Sequence, residues 1–258
     1  MEETAQARRD PLARPRILLV CTANICRSPA AQFLLLGGLG AAAESWIVES
    51  AGVSAVDGVP IDPVIASLLQ QRGIATAGFR SRRLEVGMIA SADLVLTASA
   101  GHRAAVARAF PPAVRKTFTL KQLARYAPFL DPGGDPAVPP AERVAQLLRT
   151  VPIARAKATE RRRAGDDVTD PRGRSRRAYT AAVRDLERAC AAVGALLGTG
   201  EMAVGGPQEA VQRAGGEVST RPWPTETGQQ PAFGRRVWRP SPNSRADSFF
   251  EWAFDGRR

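Results

Sequence analysis

Lysine is nearly missing from this chain: Lys116, Lys121 and Lys157 are the only three among 36 basic residues in a sequence of 258. Arginine therefore carries almost all of the positive charge, giving a formal net charge of +11 and a pI near 10.9. Such a balance raises the question of nucleic acid. No recognised nucleic-acid module accompanies it, and an Arg-rich, Lys-poor, Ala-rich composition is also what a GC-biased coding sequence produces, so nucleic-acid binding is not expected. The basic run Arg155, Lys157, Arg161, Arg162 and Arg163 reads as the solvated face of an inserted helix. Cysteine is scarce as well, with only Cys21, Cys26 and Cys190, a usage that suits a reducing compartment. No stretch approaches the roughly 18 apolar residues needed to span a bilayer. The start, Met1 to Arg16, is polar and holds Glu2, Glu3 and Asp10, so a cleaved signal peptide is not expected and cytoplasm is the expected location. What remains is a chain that is 44% hydrophobic, enough for one substantial core and a tail.

The most informative stretch is Val20-Cys21-Thr22-Ala23-Asn24-Ile25-Cys26-Arg27-Ser28-Pro29. Ile17-Leu18-Leu19-Val20 before it reads as a short buried strand, and Ser28-Pro29 with Ala30, Ala31, Phe33, Leu34 and Leu35 reads as the start of a helix. The residues between form a loop aimed by both. Backbone N–H groups of a tight loop at a helix N-terminus favour negative charge at one point, so Thr22, Ala23, Asn24, Ile25 and Cys26 can cradle a phosphate. Arg27 can grip two phosphate oxygens with its planar fork, which lysine cannot do. The same positive field favours Cys21 as a thiolate. Ser28 can donate its hydroxyl to that sulfur, and Asn24 tolerates the left-handed backbone that a curled loop needs. Cys-to-Arg spacing alone proves little in so arginine-rich a chain; the flanking strand, Asn, Ser-Pro and helix give it weight.

This segment resembles the signature loop of the low-molecular-weight protein tyrosine phosphatases, with Ala23 where glycine is commonest. Val168-Thr169-Asp170-Pro171, ahead of a long helix from Tyr179 to Leu197, resembles the family's late Asp-Pro pair. Glu49-Ser50-Ala51-Gly52, Ile61-Asp62-Pro63, Ala90 to Leu96 and His102-Arg103-Ala104-Ala105-Val106 are similar to further family segments in family order. The resemblance covers roughly residues 15–198. It implies a cysteine-dependent phosphomonoesterase in which Cys21 is the nucleophile, Arg27 the phosphate clamp and Asp170 the general acid. It implies no metal and no cofactor, phosphotyrosyl protein as substrate, and an autophosphorylating bacterial tyrosine kinase as a candidate partner. Taken alone, Asp170 reads as a turn or helix-capping residue, since Asp-Pro pairs often start turns.

Two departures bear on the substrate. Arg172 stands where many family members have an aromatic, and the loop Val53-Ser54-Ala55-Val56-Asp57-Gly58 lacks one, so Val56 and Arg172 are the candidate substrate walls. Arg172, Arg174, Arg176 and Arg177 would favour acidic groups around the phosphate, or form a solvated face. Thioredoxin-coupled arsenate reductases share the loop but need two more relay cysteines. That pair is missing, which leaves thiol-dependent arsenate reduction, and a non-catalytic phosphate-binding scaffold, as alternatives. The resemblance also suggests that Cys26 caps an oxidised Cys21 as a disulfide, against a plain packing role; Cys190 reads as core.

Strand candidates at Arg16 to Cys21, Trp46 to Ala51, Ala92 to Thr97 and Arg115 to Leu120 alternate with helices around Ala30 to Leu39, Asp62 to Arg72 and Ala100 to Phe110. That alternation predicts an α/β fold, a doubly wound four-stranded parallel sheet flanked by helices, with its site at the strand C-terminal edge. The expected organisation is an N-terminal tail over 1–14, a phosphatase-like domain over 15–198 with an inserted connection or lid at 127–167, and a disordered or weakly docking tail over 199–258. Trp223, Trp238, Trp252 and Phe249-Phe250 make that tail's end sticky enough to dock on the domain or on a partner.

Overall fold

Ile17-Leu18-Leu19-Val20 is apolar on both of its faces because the strand it forms is covered on both. The computed structural model describes residues 14–130, 138–158 and 165–198. In it, β1 (Arg16–Cys21) lies inside a four-stranded sheet with β2 (Ile47–Gly52), β3 (Leu94–Thr97) and β4 (Thr117–Thr119) in the order β2-β1-β3-β4. All three pairings are parallel, with Ile17 opposite Val48 on one side and Leu94 on the other. Successive side chains of β1 alternate between two cores. Ile17 and Leu19 join the larger one, while Leu18 and Val20 join a smaller one with Met88, Ile89, Val95 and Val106.

The helices that cover these faces follow the chain: α1 (Arg27–Leu39), α2 (Pro63–Gln70), α3 (Val86–Ser91), α4 (Ala100–Ala109), α5 (Leu120–Tyr126), α6 (Pro140–Ala158) and α7 (Arg176–Leu197). Tyr179, Ala182, Val183, Leu186, Ala189, Cys190 and Val193 recur at helical spacing and bury one stripe of α7. That stripe packs on α1 so closely that a Cβ on Gly194 would run into the Gly38 carbonyl. Glycine at both crossing points is what lets the two backbones touch.

The doubly wound parallel sheet expected from the sequence is present, with adjustments at the ends. β2 and β3 begin at Ile47 and Leu94 because a 3-10 turn (Gly40–Ser45) and α3 consume the residues just before them. β4 is only three residues long: Thr119, its last residue, already caps α5, its hydroxyl accepting from the Gln122 N–H while the Gln122 side chain reaches back. Within the connection after α5, residues 140–158 form α6, whose Val144, Leu147, Val151 and Ala154 are buried against α5 and α7. Buried Arg143, in its first turn, ties it to the end of α7 by donating to the Leu197 carbonyl. The expected tails, including Trp223, Trp238 and Trp252, lie outside the described residues apart from Arg14, as do 131–137 and 159–164 of the connection.

The chain runs from β1 outward to β2 and then returns across β1 to β3, so the order reverses at the C-terminal ends of β1 and β3. In open parallel sheets that reversal opens a crevice. Cys21 is the last residue of β1 and stands at it.

Candidate active site

From Cys21 the chain curls through five residues, Thr22 to Cys26, into α1, and one backbone angle makes this possible. Asn24 has φ of 53°, the only left-handed non-glycine residue among those described, and is 0% exposed. Its amide offsets the strain with three bonds. Nδ2 donates to Ser28 Oγ at 2.9 Å and to Ser50 Oγ at 2.8 Å, and Oδ1 accepts from the Arg82 N–H at 2.8 Å. Ser50 Oγ in turn donates to Gln32 Oε1 at 2.7 Å, and Gln32 donates to the Val48 carbonyl. Both Nδ2 hydrogens are thus spent, and Ser28 Oγ, which accepts one of them, keeps its own proton for two neighbours, Cys21 Sγ at 3.0 Å and the Ala51 carbonyl at 3.4 Å. The buried chain Gln32–Ser50–Asn24–Ser28 ends at a hydroxyl within hydrogen-bond distance of the sulfur.

Backbone contacts clamp the loop from outside. The Val53 and Ser54 N–H groups donate to the Cys21 and Thr22 carbonyls, and the Asp62 N–H donates to the Ile25 carbonyl, each at 2.9 Å. Asp62 also caps α2 through Oδ1 and accepts from the Tyr179 hydroxyl at Oδ2. Gly52 must be glycine here, because a Cβ would sit 2.6 Å from the Thr22 carbonyl oxygen. Among the described residues the backbone N–H groups of Ala23 to Cys26 find no acceptor in the protein. A row of such donors at a helix start suits a phosphate.

Arg27 opens α1 and is 6% exposed. Its Nη1 donates to the Val168 carbonyl at 3.3 Å, and its Nη2 donates to Thr22 Oγ1 at 3.3 Å and Asp170 Oδ2 at 2.5 Å. Its Nε is buried and has no partner. A buried guanidinium N–H without an acceptor is costly unless an anion supplies one. Asp170 reaches the loop across 143 residues of sequence because its segment is tied to the sheet ends. The Val168 N–H donates to the Ala98 carbonyl, Asp167 accepts from the Ala100 N–H, and Asp166 is held bidentately by Arg125. Asp170 Oδ1 accepts from the Arg172 N–H at 3.1 Å, so the turn-forming role is real alongside the contact with Arg27.

Between these segments lies a small cleft of about 50 Å³, lined by Cys21, Thr22, Ala23, Ile25, Cys26 and Arg27 on the loop and by Asp170 and Arg172 opposite. Val56 is not among the residues lining it and is 71% exposed on its own loop. A larger depression of about 160 Å³ between α1 and α7, bordered by the Arg72–Glu187 pair, holds no nucleophile. Burial, with Asp62 next in effect, pushes the Cys26 thiol up and keeps it protonated. Burial alone dominates for Cys190, which sits under α1 as a core residue. All three cysteines are free thiols.

One further group touches the site. His102, third residue of α4, is 5% exposed, and its Nε2 lies 2.9 Å from Thr22 Oγ1. Burial, reinforced by the Arg27 cation, lowers it from 6.5 to about 4, so the ring is neutral near pH 7. Sequence reasoning noticed the His102 segment but gave it no task. Ser50, Gln32 and Asp62 were likewise part of noticed segments without roles.

Residues 16–131 match the family model described as low molecular weight phosphotyrosine protein phosphatase. A protein-arginine-phosphatase of Geobacillus stearothermophilus is 42% identical over 107 residues, which span 42% of this chain and 70% of that one. The chain belongs to the low molecular weight phosphotyrosine protein phosphatase family. Another relative, a probable low molecular weight protein-tyrosine-phosphatase EpsP of Ralstonia solanacearum, is 33% identical over 43% of this chain and 73% of its own. The solved structure of the YwlE arginine phosphatase from G. stearothermophilus superposes with a TM-score of 0.51 at 30% identity, covering 70% of this phosphatase and 90% of that chain. This phosphatase is thus a hydrolase of the cysteine-dependent type. Among its described residues no helix is long and apolar enough to cross a membrane.

Proposed function

We propose that the cleft hydrolyses phosphotyrosine in proteins through a phosphocysteine, with Cys21 as nucleophile, Arg27 as clamp and Asp170 as acid and then base. The observation that carries this reading is the meeting of Arg27 and Asp170 at 2.5 Å beside Cys21, across 143 residues of sequence. A phosphate dianion entering the cleft competes with Asp170 for Arg27. It takes the orphaned Nε–H and the free loop N–H groups, and the displaced carboxyl is left over the leaving oxygen. The displaced carboxylate, no longer paired with the guanidinium, takes up a proton from solvent. The Cys21 thiolate then bonds to phosphorus as the P–O bond to the tyrosyl oxygen breaks, and Asp170 delivers its proton to that oxygen. In the second half, Asp170 takes a proton from water as the water oxygen attacks phosphorus. The P–S bond breaks, and the departing sulfur is received by the Ser28 hydroxyl.

The walls bear on which phosphoryl group is accepted. Ile25 offers an apolar side to a phenyl ring, while Arg172 places a cation at the mouth. A relative named a protein-arginine-phosphatase supports phosphoarginine as a second reading. Its delocalised cation would meet Arg172 as a like charge, which favours tyrosine. Arg172, Arg174, Arg176 and Arg177 are exposed, and none has an ion-pair partner among the described residues. They form a rim for acidic side chains flanking the phosphotyrosine, as in a tyrosine kinase that has phosphorylated itself. Assaying matched phosphotyrosyl and phosphoarginyl peptides tests this: faster turnover of the first supports it, and faster turnover of the second transfers the assignment to arginine. Release of arsenite from arsenate with an added thiol, without phosphatase activity, would point to the reductase alternative.

A further inference from the structure

Arg27 is held from one side by the acid segment and from another by Thr22, and Thr22 is itself held by a residue that does not line the cleft. We propose that His102 is a positioning residue for the phosphate clamp, acting through the Thr22 hydroxyl in a directed relay that runs from Arg27 to Thr22, to His102, to Ser99. This rests on the phosphatase reading above.

Direction follows from what each group can give. A guanidinium has only donors, so Thr22 Oγ1 must accept from Arg27 Nη2 at 3.3 Å. An oxygen that accepts from a cation becomes a better donor, and Thr22 has one hydrogen to pass on. His102 Nε2, 2.9 Å away, receives it, which places the ring proton on Nδ1. Nδ1 lies 2.7 Å from Ser99 Oγ, the cap of α4, which also accepts from the His102 backbone N–H. Ser99 therefore fixes both the ring and the helix turn that carries it. Each bond is satisfied in this sense, and reversing the ring would leave the Thr22 hydrogen without an acceptor among the described residues.

The relay has a task once substrate binds. When phosphate displaces Asp170 from Nη2, Thr22 is the one protein contact that nitrogen keeps, and the protein sets the clamp's plane through Thr22 and the Val168 carbonyl. A pinned Thr22 holds Arg27 Nε toward the oxygens that gain charge in the transition state. Misplacing such a group costs rate more than binding.

The test uses the full chain, tag removed, with p-nitrophenyl phosphate. T22V and H102L each lower kcat by roughly tenfold or more, with a smaller change in KM. The double variant is no slower than the slower single one, because both cut the same relay. H102Q, whose side-chain oxygen can accept from Thr22, recovers most of the H102L loss. T22V, nearly isosteric, carries the case if H102L fails to fold. Because this chain has a single histidine, its imidazole nitrogen resonances need no assignment. They show Nδ1 protonated and Nε2 accepting, and Nε2 shifts on adding orthovanadate in the wild type but not in T22V. Additive kinetic losses, an H102Q variant as slow as H102L, or a ring protonated on Nε2 would overturn the relay. A wild type without Cys21-dependent hydrolysis would sink the phosphatase reading instead, and the nitrogen resonances would still decide the relay.

Discussion

Replacing Asp170 by asparagine changes two things at once, and the structure predicts that they move in opposite directions. In the proposed mechanism the carboxyl is the proton donor for the leaving oxygen, and it is also the partner that Arg27 holds in the absence of substrate. Loss of a positioned acid lowers kcat by about 10²–10⁴-fold when the leaving group is as basic as tyrosine. p-Nitrophenolate departs far more easily and needs the proton less, so the loss measured with p-nitrophenyl phosphate is roughly fivefold smaller or more. Binding shifts the other way. The Arg27–Asp170 pair joins a buried guanidinium to a carboxylate whose side chain is 46% exposed, so solvent screening holds its worth to about 1 kcal/mol. Orthovanadate no longer has to break that pair in D170N, which tightens it by about fivefold. Steady-state kinetics on a phosphotyrosyl peptide and on p-nitrophenyl phosphate, with vanadate titrations of both proteins, read all three numbers. Equal losses on the two substrates would refute the acid role, and weaker vanadate binding in D170N would refute the resting contact.

Asn24→Ala removes three hydrogen bonds and leaves alanine in a left-handed turn, so urea unfolding should show a loss of about 2–4 kcal/mol. Arg172→Glu should raise KM by roughly fivefold for a phosphotyrosyl peptide with acidic neighbours while leaving p-nitrophenyl phosphate much less affected; equal effects on both would remove the rim from substrate selection. His102 binds its proton less readily folded than unfolded, so its contribution is complete above pH 6.5 and is lost as pH falls toward about 4. The loss is about 3 kcal/mol over that window, and urea titrations at the two ends should show it in the wild type and a reduced slope in H102Q.

Much of this was legible because the signals were local. The apolar run ending at Cys21, the Ser-Pro start of α1 and the tolerance of Asn24 for a left-handed turn each depend on neighbours in sequence, and each is found in place. The parallel sheet followed from the alternation of strand and helix. α5 and α6 were less visible. α5 is seven residues long and starts from a Thr-x-x-Gln capping box at the very end of a strand, where the strand pattern masks it. α6 carries Pro152 and a mixture of charges, and only its packing against α5 and α7 shows which side is apolar. The support of the loop was out of reach for a different reason. Ser50, Gln32, Arg82 and His102 lie 26, 8, 58 and 78 residues from Asn24, and nothing in the local pattern says that folding brings them to it or to its neighbours. Asp170 was legible only by resemblance, since an Asp-Pro pair alone reads as a turn; its bond to the Arg172 N–H shows that it is one.

The central claim is that phosphorus passes through sulfur at Cys21. Rapid acid quench of the wild type during turnover of a phosphotyrosyl peptide, followed by mass spectrometry of the peptide containing residues 17–27, measures it directly. Phosphate on Cys21, accumulating further in D170N and absent with all hydrolysis in C21A, is the predicted result. Undiminished turnover by C21A, or a phosphoryl group trapped on any other side chain, would contradict it.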